Sequence, residues 1–111
     1  MDIIFATRKL ERVFNEEALL RRAYNARMAR TIVLRMAVLK GAKTLSLVPS
    51  VKPVRCHPLL GKRKGQYAVD LVHPFRLVFC PNHSPVPHND DGGVNTDEIT
   101  AIEILVVVDY H

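Results

Sequence analysis

Two groups of side chains in this sequence have the types needed for acid–base chemistry on one substrate. The chain stops at Asp109-Tyr110-His111, directly after a stretch rich in β-branched and aliphatic residues, 102–108. Polar and aromatic groups at the end of an apolar strand make sense where that strand ends at a site. An Asp can orient an imidazole, a Tyr can stack or hydrogen-bond, and a His can move a proton near neutral pH. The plain alternative is an inert tail, since terminal residues are often disordered. A second cluster, from His57 to Arg76, tips the balance toward a site.

That cluster begins with Arg55-Cys56-His57-Pro58-Leu59-Leu60-Gly61-Lys62-Arg63-Lys64-Gly65-Gln66-Tyr67. Gly61 and Gly65 bracket three consecutive cations, so the backbone can turn sharply and bring them toward a phosphate path. Taken alone, this is also what an exposed basic turn looks like. His57 adds an ionisable imidazole just before it. Arg76 opens a strand of otherwise apolar residues, where a loop-type explanation fits less well, although edge arginines also snorkel to solvent.

If the last strand neighbours these segments, His57, Arg76, Asp109, Tyr110 and His111 converge on one shallow basic site. Two imidazoles and a guanidinium over a phosphodiester suggest a specific reaction. One histidine takes the proton of a ribose 2′-hydroxyl, the arginine stabilises charge on the phosphorus oxygens, and the other histidine protonates the leaving 5′-oxygen. The nucleophile is internal, so the route calls for no metal or other cofactor. Only RNA carries that hydroxyl, so DNA is not a substrate by this route. The spacing leaves open which histidine is the base. Asp109 would orient an imidazole, Tyr110 would stack on a base or ribose, and Arg55, Lys62, Arg63 and Lys64 are the candidate backbone contacts. A carboxylate beside the His111 imidazole at the chain end would favour its protonated form, which suits the acid.

The elements that must position these residues follow from pattern. The 111 residues, 48% hydrophobic, are expected to form one domain (residues 1–111) with a real core. The longest apolar run, 104–108, is far too short to span a bilayer. Asp2 stands where a secretory signal would carry positive charge, so no export signal is read and a cytoplasmic protein with two reduced thiols, Cys56 and Cys80, is expected. Residues 3–6 form a first strand, and Thr7 caps a short helix to about Phe14. Asn15 caps a second helix running to about Lys40, with Gly41 as its stop. Leu20, Tyr24, Met28, Ile32, Met36 and Leu39 mark its buried face. Val33, Leu34, Ala37 and Val38 imply contact on a second side, while Arg21, Arg22, Arg27, Arg30 and Arg35 spread over the remaining surface. Residues 67–72 and 76–80 are strands joined by a His73-Pro74 turn, residues 81–96 are a long exposed loop with His83 and His88 at the surface, and residues 101–108 are a strand inside the sheet. Asp90, Asp91 and Asp97 lack the ligand spacing of a calcium loop. The sum is an α+β domain with helices on one face of a sheet.

Charge is segregated. All 16 Lys and Arg lie in the first 76 residues with five of the 11 acids, and the last 35 residues hold six acids and no Lys or Arg. A polyanion partner fits the first part through field focusing, and the alternative is charge kept for solubility.

The stretches His57-Pro58-Leu59, Gly61-Lys62-Arg63-Lys64-Gly65-Gln66-Tyr67, Pro74-Phe75-Arg76-Leu77-Val78-Phe79 and Asp109-Tyr110-His111 resemble the HigB-like host-inhibition-of-growth toxins of the RelE/ParE superfamily. The order of elements resembles that family over nearly the whole chain. The resemblance implies a RelE-like fold with two N-terminal helices packed on one face of a small, mostly antiparallel β-sheet. It implies a type II toxin–antitoxin toxin that enters the A site of the 30S ribosomal subunit, beside rRNA, and cuts mRNA. A HigA-like helix-turn-helix antitoxin would hold it inactive, with operator DNA bound only through that complex and no membrane involved. By motif, His57, Arg76, Asp109 and His111 match the active-site residues, Tyr110 an aromatic substrate contact, and Lys62, Arg63 and Lys64 an RNA-facing basic turn. The 81–96 loop and Cys56 depart from the pattern. A non-enzymatic gyrase-inhibiting toxin of the same fold would leave His57 and the terminal tripeptide unused. A passive RNA-binding module would bind without product, and seven Phe and Tyr with no Trp give it a thin stacking platform.

Overall fold

A computed structural model describes residues 1–109, so Tyr110 and His111 lie outside the described residues. In chain order the elements are β1 (Asp2–Phe5), α1 (Arg8–Asn15), α2 (Glu17–Ala23), α3 (Ala26–Gly41), β2 (His57–Pro58), β3 (Tyr67–Asp70), β4 (Phe75–Pro81) and β5 (Ala101–Asp109). Short 3-10 turns lie at Leu45–Leu47, Gly61–Arg63 and Thr96–Glu98. The sheet order is β1-β5-β4-β3-β2. β1 and β5 are parallel and every other pair is antiparallel.

Strand β5 is apolar because it is central, paired with β1 on one side and β4 on the other. The helices cover one face of the sheet. Between them and that face lies the main core, in which Leu20, Ile32 and Leu39 meet Val69, Leu77, Phe79, Ile102 and Ile104. The opposite face carries only a small cluster, Leu59, Ala68 and Val78, edged by Leu105, Val106 and Val108. That thinly covered face is where polar side chains have room.

Thr7 caps α1 as expected, its hydroxyl accepting the Leu10 N–H at 3.1 Å. The single helix expected from Asn15 to Lys40 is two helices. Asn15 ends α1, and Asn25 starts α3 by accepting the Met28 N–H on its Oδ1 at 2.8 Å. An Asn within a helical stretch competes for backbone donors, and here the cap replaces the continued ladder. The apolar face survives the break: Leu20, Met28, Ile32, Met36 and Leu39 are buried and Tyr24 is half-buried. Gly41 is the last helical residue rather than the stop, and Ala42 follows as the C-cap.

Of the second contact surface expected on α3, Val38 packs half-buried against the core while the rest stays exposed. Val33 is 42% and Leu34 61% exposed, because α1 packs on α2 and β1 rather than across the outside of α3. The 81–96 loop is long but tied down. Val86 and Val94 pack against the core, His88 bridges Val94, and the Asp91 carboxylate accepts the Gly93 N–H at 2.8 Å. His83 is half-buried rather than a plain surface residue, and its Nε2 accepts the Thr100 N–H at 3.0 Å at the entrance to β5. Among the described residues no helix is long and apolar enough to cross a membrane.

Replacing the cap, Asn25→Ala, should lower stability by about 1 kcal/mol in urea unfolding. An unchanged midpoint would show that the helix break does not depend on that side chain.

Candidate functional site

The site is built on the β2–β3–β4 edge. His57 pairs with Ala68 and Pro58 with Tyr67, and the hairpin closes through Leu59 N–H to the Gln66 carbonyl at 2.9 Å. Gly61 (φ +63°) and Gly65 (φ +90°) both take the left-handed backbone that other residues avoid, which is how the basic turn reverses so tightly. Lys62 and Lys64 are exposed at its tip. Arg63 folds back, donating from Nη1 to the Gln66 Oε1 at 3.0 Å. Two of the three expected cations thus point outward and the third braces the turn.

Directly paired residues share a sheet face, and the face alternates along each strand. His57, Ala68, Val78 and Val106 form one row, and Asp70, Arg76 and Val108 form the next row on the same face. Two residues along β3 separate the rows, about 7 Å. His57 and Arg76 therefore rise from the same, helix-free side.

Asp70 organises this face. Its carboxylate accepts a fork from Arg55, Nε to Oδ2 at 2.7 Å and Nη2 to Oδ1 at 3.0 Å, and lies 3.5 Å from the Arg76 Nε. Arg55 holds φ +47°, unusual for a side-chain-bearing residue. The fork and an N–H bond to the Val51 carbonyl at 2.8 Å keep it there. Arg35 supports the same residue from inside. Its Nε donates to the Asp70 carbonyl at 2.6 Å and its Nη2 to the Pro53 carbonyl at 3.2 Å. Arg35 is only 9% exposed, contrary to its expected place on the surface. Burial alone would raise the Asp70 carboxyl. The Arg55 hydrogen bonds and the charges of Arg55, Arg76 and His57 outweigh burial and hold it below the usual carboxylate value.

His57 is half-buried, with Nδ1 2.7 Å from the Arg55 carbonyl oxygen. A carbonyl can only accept, so Nδ1 carries the hydrogen. In the neutral ring this leaves the Nε2 lone pair for a substrate proton. Arg55 thus fixes both Asp70, through its side chain, and the His57 tautomer, through its backbone.

Asp109 ends β5 beside this region, but its register partner is Phe75, so it stands in the row alternate to Arg76 and Val108. The described residues thus bring together His57, Arg55 and Arg76 on one face, with Lys62 and Lys64 at the hairpin tip, whereas Asp109, expected to join them, stands in the row of Phe75 on the helix side. Tyr110 and His111, expected to complete the site, lie outside the described residues. Neither cysteine fits a nucleophile: burial pushes the Cys56 thiol up to about 11, and burial and the neighbouring Glu103 raise Cys80. Among the described residues no cluster of His, Cys, Asp and Glu could hold a metal.

Two structural residues escaped the sequence reading, and both left a signal. Asp70 is the sole acid between Glu17 and Asp90, in a segment dense with Lys and Arg. Arg35 follows Met28 by seven residues and Ile32 by three, which places it on the buried stripe of α3.

No protein-family model and no curated protein matches the chain. Among the described residues, three helices against one five-stranded mixed sheet make an α+β protein with the RelE/YoeB-like toxin fold. The fold is similar to that of a YoeB/ParE toxin from Agrobacterium tumefaciens, with 14% identity over 100% of both chains and a TM-score of 0.55. It is likewise similar to a chain of the YoeB-YefM complex from Staphylococcus aureus, with 14% identity, 100% of this chain and 97% of that chain covered, and a TM-score of 0.56. What is shared at that identity is the fold.

Because the folded Asp70 carboxyl lies below its ordinary value of 3.8, its contribution to stability is full above that value. The contribution is lost as pH falls through the lower folded value. Urea midpoints of Asp70→Asn should therefore fall less steeply with acid than those of the wild type, and parallel curves would refute the coupling. Arg35→Met, which strips the Asp70 and Pro53 carbonyls of a buried donor, should lower stability by about 2–3 kcal/mol in the same assay.

Proposed function

We propose that this chain is the toxin of a type II toxin–antitoxin system and that it cuts mRNA in the ribosomal A site without a metal. The observation that carries the reading is the orientation of His57. Its Nδ1–H is committed to a backbone carbonyl, its Nε2 is left as the base, and Arg55 and Arg76 stand on the same sheet face. In the reaction, Nε2 takes the 2′-hydroxyl proton and the 2′-oxygen attacks phosphorus. Arg76 stabilises the charge on the phosphoryl oxygens, and the His111 imidazole protonates the leaving 5′-oxygen. The products are a 2′,3′-cyclic phosphate and a free 5′-hydroxyl. Asp109 orients the second imidazole, Tyr110 stacks on the substrate, and Arg55, Lys62, Arg63 and Lys64 contact or frame the strand. Each imidazole is expected to contribute about 10²–10⁴-fold.

The partner inferred for the silent state is a HigA-like helix-turn-helix antitoxin, which would also carry any operator binding. A solved neighbour in a YoeB-YefM complex supports a partner of that general kind. A second reading, a non-enzymatic toxin that inhibits gyrase, draws on the ParE name of another neighbour and on Asp109 standing in the alternate row.

The test is cleavage of mRNA on programmed ribosomes, with end analysis for a 2′,3′-cyclic or 3′-phosphate and with chelator present. Cutting should persist in chelator and fall at least about 100-fold in His57→Ala and in His111→Ala, with unchanged circular dichroism. Full cutting by either variant would remove that histidine from the mechanism. Growth arrest without any RNA product, but with gyrase inhibition, would select the second reading.

A further inference from the structure

Next to His57 the fold forms a polar cleft of about 200 Å³, between residues 52–55 and the β3–β4 turn. Lys52, Arg55, His73 and Arg76 line it, with Asp70 as the carboxylate among them. Asp70 is already shared by Arg55 and Arg76, so the lining keeps a positive excess. Arg35 adds a further positive charge behind the cleft, through its bonds to the Asp70 and Pro53 carbonyls. The nearest other acid by register is Asp109, opposite Phe75 in the alternate row. Lys52 and His73 are both exposed and have no part in the proposed bond cleavage.

We propose that this cleft is a phosphate subsite, holding the phosphodiester next to the one that is cut. The row of Asp70 and Arg76 is displaced from the row of His57 by two residues of β3, about 7 Å. That is comparable to the separation of neighbouring phosphates in an extended single strand. A strand with its scissile phosphate at His57 would therefore lay one adjoining phosphate in the cleft and pass the other toward Lys62 and Lys64. Arg55 suits such a ligand through the guanidinium donors that its fork with Asp70 leaves over, with Lys52 as a point charge at the mouth, while Arg76 at the cleft serves the phosphate that is cut. Fixing a second phosphate would hold the strand in register over His57, which is how binding energy becomes orientation. The identity of the strand rests on the ribonuclease reading, whereas the affinity of the cleft for an anion does not.

The experiment is a nitrogen–proton NMR titration of the wild-type protein with inorganic phosphate and, separately, with an all-2′-deoxy trinucleotide that cannot be cut by the proposed route. Both ligands should shift resonances of Lys52, Arg55, His73 and Arg76, and only the trinucleotide should also shift His57 and Lys62. Lys52→Glu should weaken both at least about five-fold while leaving the trinucleotide shifts at Lys62 in place. On programmed ribosomes Lys52→Glu and His73→Ala should blur the position of the cut more than they reduce its amount. If inorganic phosphate binds the cleft and the trinucleotide does not, the site is one for a free anion and the subsite is refuted. If neither shifts the cleft while RNA is still cut, the subsite fails and the ribonuclease reading stands. If both shift the cleft but no RNA is ever cut, the nuclease reading fails and the strand-binding cleft stands.

Discussion

The arrangement of this face depends on one carboxylate. Asp70 accepts the Arg55 fork, stands 3.5 Å from Arg76, and has its own carbonyl gripped by the buried Arg35. Without it, Arg55 would lose the carboxylate that its fork grips. The Arg55 and Asp70 side chains are 33% and 26% exposed, and ion pairs with that much solvent contribute at most about 1 kcal/mol. Their importance is therefore geometric. The larger energetic share belongs to the buried Arg35, through its two bonds to carbonyls. Stability comes from inside the sheet and orientation from its surface, and Asp70 joins the two.

The sheet itself is asymmetric in a way that allows this. On the helix side, Val69, Leu77 and Phe79 are fully buried against α2 and α3, and this face carries most of the hydrophobic burial. On the other side Ala68 sits between His57 and Val78 in the same row. A small side chain there leaves the imidazole unobstructed by its neighbour. A sheet covered by helices on both faces would have no place for such a row. Packing and chemistry thus divide between the faces, and the two-residue period of each strand assigns its side chains to one or the other.

Much of this was legible in the sequence because it rests on local rules. The spacing from Leu20 to Leu39 gave the buried helical face, the unbroken apolarity of residues 104–108 placed β5 inside the sheet, and the two glycines announced the tight basic turn. What escaped was decided over distance. Ending one helix at Asn25 and starting another is a contest of about 1 kcal/mol between a cap and a continued ladder, and pattern alone does not resolve it. Arg35 is buried only because two carbonyls, from Pro53 and Asp70, come to meet it from 18 and 35 residues away. Nothing near Arg35 in sequence predicts those acceptors. Asp70 was hidden for the same reason: its partners lie on other elements.

Charge segregation, visible in composition, acquires a direction from the topology. Arg76 lies near the start of β4 and the acidic 81–96 loop leaves the sheet at Pro81, the other end of that strand. Seven residues of β4 span about 20 Å. Solvent-exposed charges at physiological ionic strength are screened within about 8 Å, so Asp90 and Asp91 do little to cancel the field at the cleft. They act locally instead, within their own loop. A polyanion approaching from solution would therefore meet its attraction at the cleft, where Lys52, Arg55 and Arg76 gather. A molecule with the same net charge of +5 spread evenly would attract just as well at long range and orient nothing.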